Sequence, residues 1–179
     1  GGPGVGAGAT AVAGAGGALV GGAGAIAFST SQADVTVTVD GTITAAGGVR
    51  AEGNANNEAT ADTLGVGVGT VGVGLSISDA HSGGTVDVSV NGTVNAGSLT
   101  VQALGDTTAD SETFALAGGL IGVGINSATS TLDGAVKAHL GGSATVATSG
   151  DVAVTATANN TGFATGRGGR GPLTAARRL

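Results

Sequence analysis

Apolar and polar residues alternate with a period of two along much of this chain. Val86, Val88 and Val90 alternate with Thr85, Asp87 and Ser89, and Val35, Val37 and Val39 alternate with threonines upstream. Period two is the spacing of side chains on one face of a strand, and no segment carries a convincing 3.6-residue pattern. Two-residue turns follow these runs, "DG" at 40–41, "NG" at 91–92 and "GG" at 141–142. Gly and Asn tolerate the positive φ that a tight turn demands.

The stretch "GVGVGTVGVGLSIS" (65–78) alternates as well, with glycine in the polar slots, and slips phase once at Thr70. Val66 and Val68 precede the slip; Val71, Val73, Leu75 and Ile77 follow it. A one-residue slip predicts a bulge or corner that turns the strand while keeping its apolar side inward. The glycines then mark a face where another sheet, or another subunit, comes unusually close.

These patterns recur. "GAGAIAFS" (22–29), "VGVGLSIS" (71–78) and "IGVGINSA" (121–128) put Ile26, Leu75 and Ile125 at spacings of 49 and 50. The turn glycines Gly41, Gly92 and Gly142 follow at 51 and 50, and Leu64, Phe114 and Phe163 suggest a further column. A third landmark, "VRA", "LTVQA" and "VAVTATA", is spaced 50 and then 53, the extra three residues lying in "GGSATVATSGD". The units run 10–62, 63–112 and 113–162, after a Gly-rich segment at 1–9. A fourth begins at Phe163 and passes into a Gly/Arg-rich tail that ends at residue 179. Each unit reads as a Gly/Ala-rich strand, a polar loop, an alternating strand, a turn, a short strand and an Asn/Asp/Glu/Thr loop. Repeats of strands and turns without helices predict an all-β fold, a β-solenoid (β-helix) of about three 50-residue Gly/Ala/Val-rich repeats. One wide coil or two narrower coils per unit would both fit. A β-propeller needs at least about four such repeats and aromatic-rich blades.

Composition narrows this further. Glycine fills 38 of 179 positions and Phe28, Phe114 and Phe163 are the only aromatic residues, so a thick core of large side chains is excluded. Without cysteine there is no disulfide scaffold and no thiolate metal site. The net charge is −6, but four of the six basic residues are Arg167, Arg170, Arg177 and Arg178. Residues 1–166 carry twelve acids against Arg50 and Lys137, a net −10 that repels nucleic acid and anionic membrane. The uncharged stretch 1–33 lacks a basic start and a dense Leu/Ile/Phe run, and its glycines oppose a membrane helix. The missing Trp and Tyr girdles oppose an outer-membrane barrel.

Chemical motifs are few. "GVGTVG" (67–72) matches G-x-G-x-x-G, with Asp87 where a ribose-binding acid would stand, but a strand follows instead of the helix N-terminus that receives a pyrophosphate. His81, beside Asp79 and Ser82, invites a triad reading, yet neighbours in sequence rarely converge, and a solvated loop histidine is expected. His139 falls at a different repeat phase. Acids recur at the unit ends, Glu52, Glu58 and Asp62 in the first and Asp106, Asp110 and Glu112 in the second. Hard oxygens of this kind hold calcium in some extracellular solenoids, but neither the EF-hand pattern nor the Gly-Gly-x-Gly-x-Asp nonapeptide occurs. Solvated loops are the expectation and calcium the minor alternative; no other cofactor is expected. The sequons at Asn91 and Asn159 read first as turn and loop signals, and the single Arg-Gly stretch from 166 reads as a disordered end or fragment boundary.

The order of elements in "ALAGGLIGVGINSATSTLDGAVKAHLGGSATVATSGDVAVTATANN" (115–160) resembles the repeat region of large bacterial exoproteins, the filamentous-haemagglutinin-like adhesins and related autotransporter passengers. The resemblance covers about 10–165. It implies an extended right-handed β-solenoid at the cell surface, exported by its parent protein's machinery and used for adhesion or as a stalk. It carries over no catalytic residue.

The expectation is therefore a non-enzymatic, extracellular structural or adhesive segment of a bacterial surface or fibre protein. The alternative is a self-assembling filament subunit, joined through strand edges or Gly-rich faces. The expected partners are further copies and a host or cell-surface receptor or glycan, with no nucleic acid and no membrane insertion. Ice or carbohydrate binding on the threonines of "TVTVDGTIT" (36–44) is weakened because "DVSVNGTVN" replaces them one unit later. A polysaccharide-degrading β-helix would need clustered carboxylates and sugar-stacking aromatics, and neither cluster is present.

Overall fold

A computed structural model describes residues 5–170, and every strand pair in it is parallel. The first circuit of the chain runs β1 (Val5–Gly16), β2 (Val20–Gln32), β3 (Val35–Val39) and β4 (Thr42–Thr44). The second runs β5 (Gly48–Val68), β6 (Val71–Val90) and β7 (Thr93–Ala96). The third runs β8 (Ser98–Gly118), β9 (Ile121–Leu140) and β10 (Thr145–Thr148), and β11 (Val152–Arg170) opens the next. Three sheets result: β1-β5-β8-β11, then β6 flanked by β2 with β3 on one side and β9 on the other, and the short β10-β7-β4. They are called here the first, second and short sheets.

The chain is thus a β-solenoid with one wide coil per repeat. Gly48 stands opposite Ser98 and Val71 opposite Ile121, one repeat of 50 residues apart. Leu99 stands opposite Val152, so the last step has lengthened to 53 and the three-residue insertion falls in the turns around β10. Each coil has two long sides of about twenty residues and one short side. Backbone N–H groups at the corners are passed up the stack: Thr93 N–H donates to Gly41 O at 2.7 Å and Thr145 N–H to Gly92 O at 3.1 Å. Gly41 adopts the left-handed φ of +86° that the corner requires.

The interior has two regimes. Near the short sheet, Val86, Val88, Val90, Val94, Leu99 and Val101 are buried in a conventional β-branched core. Farther out, toward the corners at 69–70 and 119–120, the inward positions are mostly Gly, Ala, Ser and Thr, with Asn57 and Leu132 among them. Ala27, Ala59, Ala61, Ala80 and Ala109 form the apolar cluster there. The two long sheets approach too closely for anything larger: a Cβ on Gly74 would lie 2.7 Å from Leu116 O and 3.1 Å from Gly65 O. Serine hydroxyls tie the facing sheets together. Ser76 Oγ donates to Phe114 O at 2.7 Å, Ser82 Oγ to Asn57 O at 2.9 Å and Ser130 Oγ to Ala109 O at 2.8 Å. The hydroxyls of Ser78 and Ser111 share a hydrogen bond of 2.5 Å. This part of each coil is a thin blade projecting from a wider prism.

Four expectations need correction. The polar stretches at 52–63 and 79–84 are not loops, since β5 and β6 run through them without a break. Their inward positions alternate in small residues: Gly53 and Ala55 pack against the valines of the facing sheet, and Ala59, Ala61 and Ala80 pack on one another. The Gly-rich start is not separate, because β1 begins at Val5 opposite Asn57; residues 1–4 lie outside the described part. The unit boundaries at 62/63, 112/113 and 162/163 fall in the middle of long strands, so Phe163 opens no new coil. Finally, the corner at Gly69–Thr70 exists, but the apolar side of 65–78 does not face inward: Gly65, Gly67, Gly72 and Gly74 are buried, and the side chains between them point out.

Candidate functional site

The outward rows of the blade are where the fold presents unusual chemistry. In β6 the large apolar residues occupy odd positions from Val71 to Ile77 and even positions from Val86 to Val90, while even positions face inward throughout. Their parity inverts within one unbroken strand, so they leave the core for the surface as the blade begins. In β8, Leu99 and Val101 point inward whereas Phe114 and Leu116 point outward.

On the second sheet, the ladder builds four apolar rows: Val20–Val71–Ile121, Gly22–Val73–Val123, Gly24–Leu75–Ile125 and Ile26–Ile77–Ser127. The row Phe28–Asp79–Thr129 closes the patch. On the first sheet, Val12–Leu64–Phe114 continues to Arg167, and the row behind it is Thr10–Asp62–Glu112–Thr165. Leu120, at the blade tip, is 85 % exposed. The Thr70 hydroxyl at the neighbouring corner donates to Ala18 O at 2.8 Å, which satisfies that polar group within the stack.

A groove of about 450 Å³ follows the first sheet between the apolar row and the acidic row, lined by Val12, Leu64, Phe114, Asp62 and Glu112 among others. Burial raises the pKa of Asp62 above the usual carboxylate range, and the charges of Glu112 and Asp110 push it the same way. Arg167, 3.7 Å from Glu112, is the basic group nearest this row.

The sequence-derived columns are only partly reunited. Leu64 pairs with Phe114, but the insertion moves Phe163 opposite Asp110 and brings Arg167 opposite Phe114. Leu75 pairs with Ile125, whereas Ile26 pairs with Ile77. All of them face outward, which for Leu75 goes against the expectation of an inward apolar side in 65–78. The corner glycines Gly41 and Gly92 stack directly, and Gly142 follows at the widened third corner, where the Gly141 N–H donates to Val90 O.

The remaining candidates settle as follows. Gly67, Gly69 and Gly72 surround the corner at Thr70 with strand on both sides, so they offer no helix terminus, and Asp87 lies far along β6. His81 is a strand residue whose Nε2 is 2.9 Å from Asp133 Oδ2 one coil on; His139 Nδ1 is 3.4 Å from Asp87 Oδ1 one coil back. The acids of β5 and β8 point outward from strands. Among the described residues, no group of three or more His, Asp or Glu is placed to hold a metal ion. Asn91 is at a corner, its Nδ2 3.2 Å from Asp40 Oδ1, while Asn159 lies on β11 and donates to Asp106 at 2.8 Å. The Arg/Gly tail continues β11 as far as Arg170, and its reading beyond that point falls on residues 171–179, outside the described part. Thr36 has Asp87 and then Lys137 above it, so the threonines build no lattice.

Sequence reasoning missed the outward rows themselves. The signal was the parity inversion between Ile77 and Val86. Compared with family models, curated proteins and solved structures, the chain matches none.

Proposed function

We propose that this chain is a non-enzymatic structural or adhesive segment of a bacterial surface or fibre protein, working outside the cell. The observation that carries the reading is the uninterrupted parallel ladder of one-coil repeats, which builds a stiff, extensible rod and leaves its faces for contact. Among the described residues, three ion pairs join neighbouring coils, His81–Asp133, His139–Asp87 and Arg167–Glu112, an arrangement suited to stacking. The resemblance of 115–160 to adhesin repeats supports the extracellular setting, with a receptor or surface glycan as partner. The test is saturable binding of the labelled, purified chain to cultured epithelial cells and to a glycan array. Binding that is lost after thermal unfolding supports adhesion; no saturable binding leaves only the structural role. Turnover of an acidic polysaccharide would overturn both.

A second reading, a self-assembling filament subunit, is favoured by the apolar rows on the outside of the blade. Electron microscopy separates the two, since discrete short rods alone count against filament assembly.

A further inference from the structure

The outward face of the second sheet is apolar over four rows, yet its bulk is distributed unevenly. β2 contributes Gly22 and Gly24 to the middle rows, and β9 contributes Val123 and Ile125 to the same rows. Gly22 and Gly24 are exposed, and a Cβ on Gly22 would meet nothing within 4 Å. The face therefore has a hollow over its first coil and a ridge over its third. In the next row the order reverses, with Ile26 on β2 and Ser127 on β9.

We infer that this face is the contact surface for a second copy of the same chain, related by a two-fold axis that runs parallel to the strands over β6. That operation lays β9 of one copy over β2 of the other in the same row. Val123 and Ile125 of each copy then enter the hollow above Gly22 and Gly24 of its mate, Ile26 meets Ser127, and Val73 and Leu75 meet their own counterparts. A two-fold contact is self-complementary by construction, and under that one operation three of the four rows set a small residue against a large one, while in the first Val20 meets Ile121. The 4.8 Å ladder spacing of one copy is also matched by the other, which no partner of different periodicity offers. Most of the residues involved are β-branched, so little rotamer freedom is lost on docking. A lipid surface fits less well, because the patch ends at Asp79 and the body behind it is strongly acidic.

Four rows on three strands cover roughly 300 Å² in projection. That is below the ~800 Å² per partner of a standard stable complex, so the dimer is weak and forms in the micromolar to millimolar range. The inference stands on the fold alone and does not require the adhesin reading.

The test is sedimentation equilibrium of the 179-residue chain from micromolar to low-millimolar concentration. The wild type is expected to follow a reversible monomer–dimer equilibrium. Gly22→Val with Gly24→Val fills the hollow, adds exposed apolar area and leaves the monomer unstrained, yet is expected to weaken the dimer about tenfold or more. Adding Val123→Ala and Ile125→Ala to that variant removes the ridge and is expected to restore association. Val123→Thr with Ile125→Thr is expected to weaken it in an otherwise native face, and circular dichroism confirms the fold of each variant. A wild type that stays monomeric throughout overturns the inference. So does a Gly22→Val, Gly24→Val variant that associates as well as wild type, since unspecific stickiness would then account for the contact. Flotation of the wild type with phosphatidylcholine vesicles in the absence of self-association assigns the face to lipid and overturns it equally.

Discussion

Replacing Gly74 by alanine places a methyl carbon 2.7 Å from the Leu116 carbonyl oxygen, 3.1 Å from that of Gly65 and 3.3 Å from the Leu116 carbonyl carbon. A carbon rests about 3.5 Å or more from such neighbours, so the two long sheets must separate by roughly half an ångström or more. The obstruction is backbone on two different strands, β8 and β5, and neither can rotate away as a side chain would. Overpacking of this kind costs about 1–3 kcal/mol. Separation also lengthens the 2.7 Å bond from Ser76 Oγ to Phe114 O, two residues along, and weakening one such bond adds about 0.5–1.5 kcal/mol. Gly22→Ala is the control: it lies on the same ladder with its Cβ in open space, and is expected to stabilise by about 0.4–1 kcal/mol by restricting the unfolded chain. The two variants should therefore differ by at least about 2 kcal/mol, which for a chain of this size is a Tm difference of roughly 4–8 °C. Thermal unfolding by circular dichroism reads the difference. Hydrogen exchange over residues 62–78 shows whether the loss is local to the blade, as nearest-neighbour coupling between coils requires. If Gly74→Ala unfolds within a degree of wild type, or Gly22→Ala costs as much as Gly74→Ala, the blade is not held at glycine-limited spacing and the reasoning fails.

Asn57, buried between the long sheets, donates through Nδ2 to Gly83 O at 2.5 Å and to Ala33 O at 3.3 Å. Asn57→Ala is expected to cost about 1–3 kcal/mol, read as a lower urea midpoint. Asp62 has a folded-state pKa raised by burial and by Glu112 and Asp110. Its contribution to stability is therefore fully present below the ordinary carboxylate range and is lost as pH rises through the folded value. Asp62→Asn should raise Tm above wild type near neutral pH and lose that advantage at about pH 3; an equal gain at both would show that the carboxylate charge is not the cause. His81 pairs with Asp133 at a half-exposed site, so His81→Ala should cost no more than about 1 kcal/mol and leave any cell binding intact.

The repeat length, the absence of helix among the described residues and the turn glycines Gly41 and Gly92 were legible because they depend on local rules: period-two alternation, turn chemistry and self-similarity. The polar strands were not. In "AEGNANNEATADTLG" the inward residues are Ala51, Gly53, Ala55, Asn57, Ala59, Ala61 and Thr63, an alternation invisible to a reading that expects large apolar side chains in the core. Whether alanine suffices to fill an interior depends on how close the facing sheet comes. That distance is set by small residues in another strand, among them Ser78, Ala80 and Ser82, a tertiary fact no local window contains. Phe163 was misplaced for a related reason: counted in sequence it completes a column with Leu64 and Phe114, but three residues added near β10 shift β11 along the ladder.

The outward rows follow from the same geometry. Once glycine, alanine and serine fill the blade, there is no interior volume left for Val66, Val73, Leu75 or Ile77, and alternation forces them to the opposite face. Surface exposure of Phe28 at 67 % and Ile121 at 59 % is thus a consequence of the thin interior, and not the failure of a strand to find its register. A chain that needed only a stiff rod could place threonine at those positions, as it does at Thr129 and Thr131, and keep both the ladder and the solubility. Apolar residues at Leu75 and Ile125 add nothing to the interior, so their contribution has to be sought outside the coil, where they exclude water only when another surface covers them. The thin blade and its apolar exterior are in this sense one feature. The glycines bring two sheets of one chain together, and in doing so they turn the branched side chains to the outer face, where the proposed second copy would cover them.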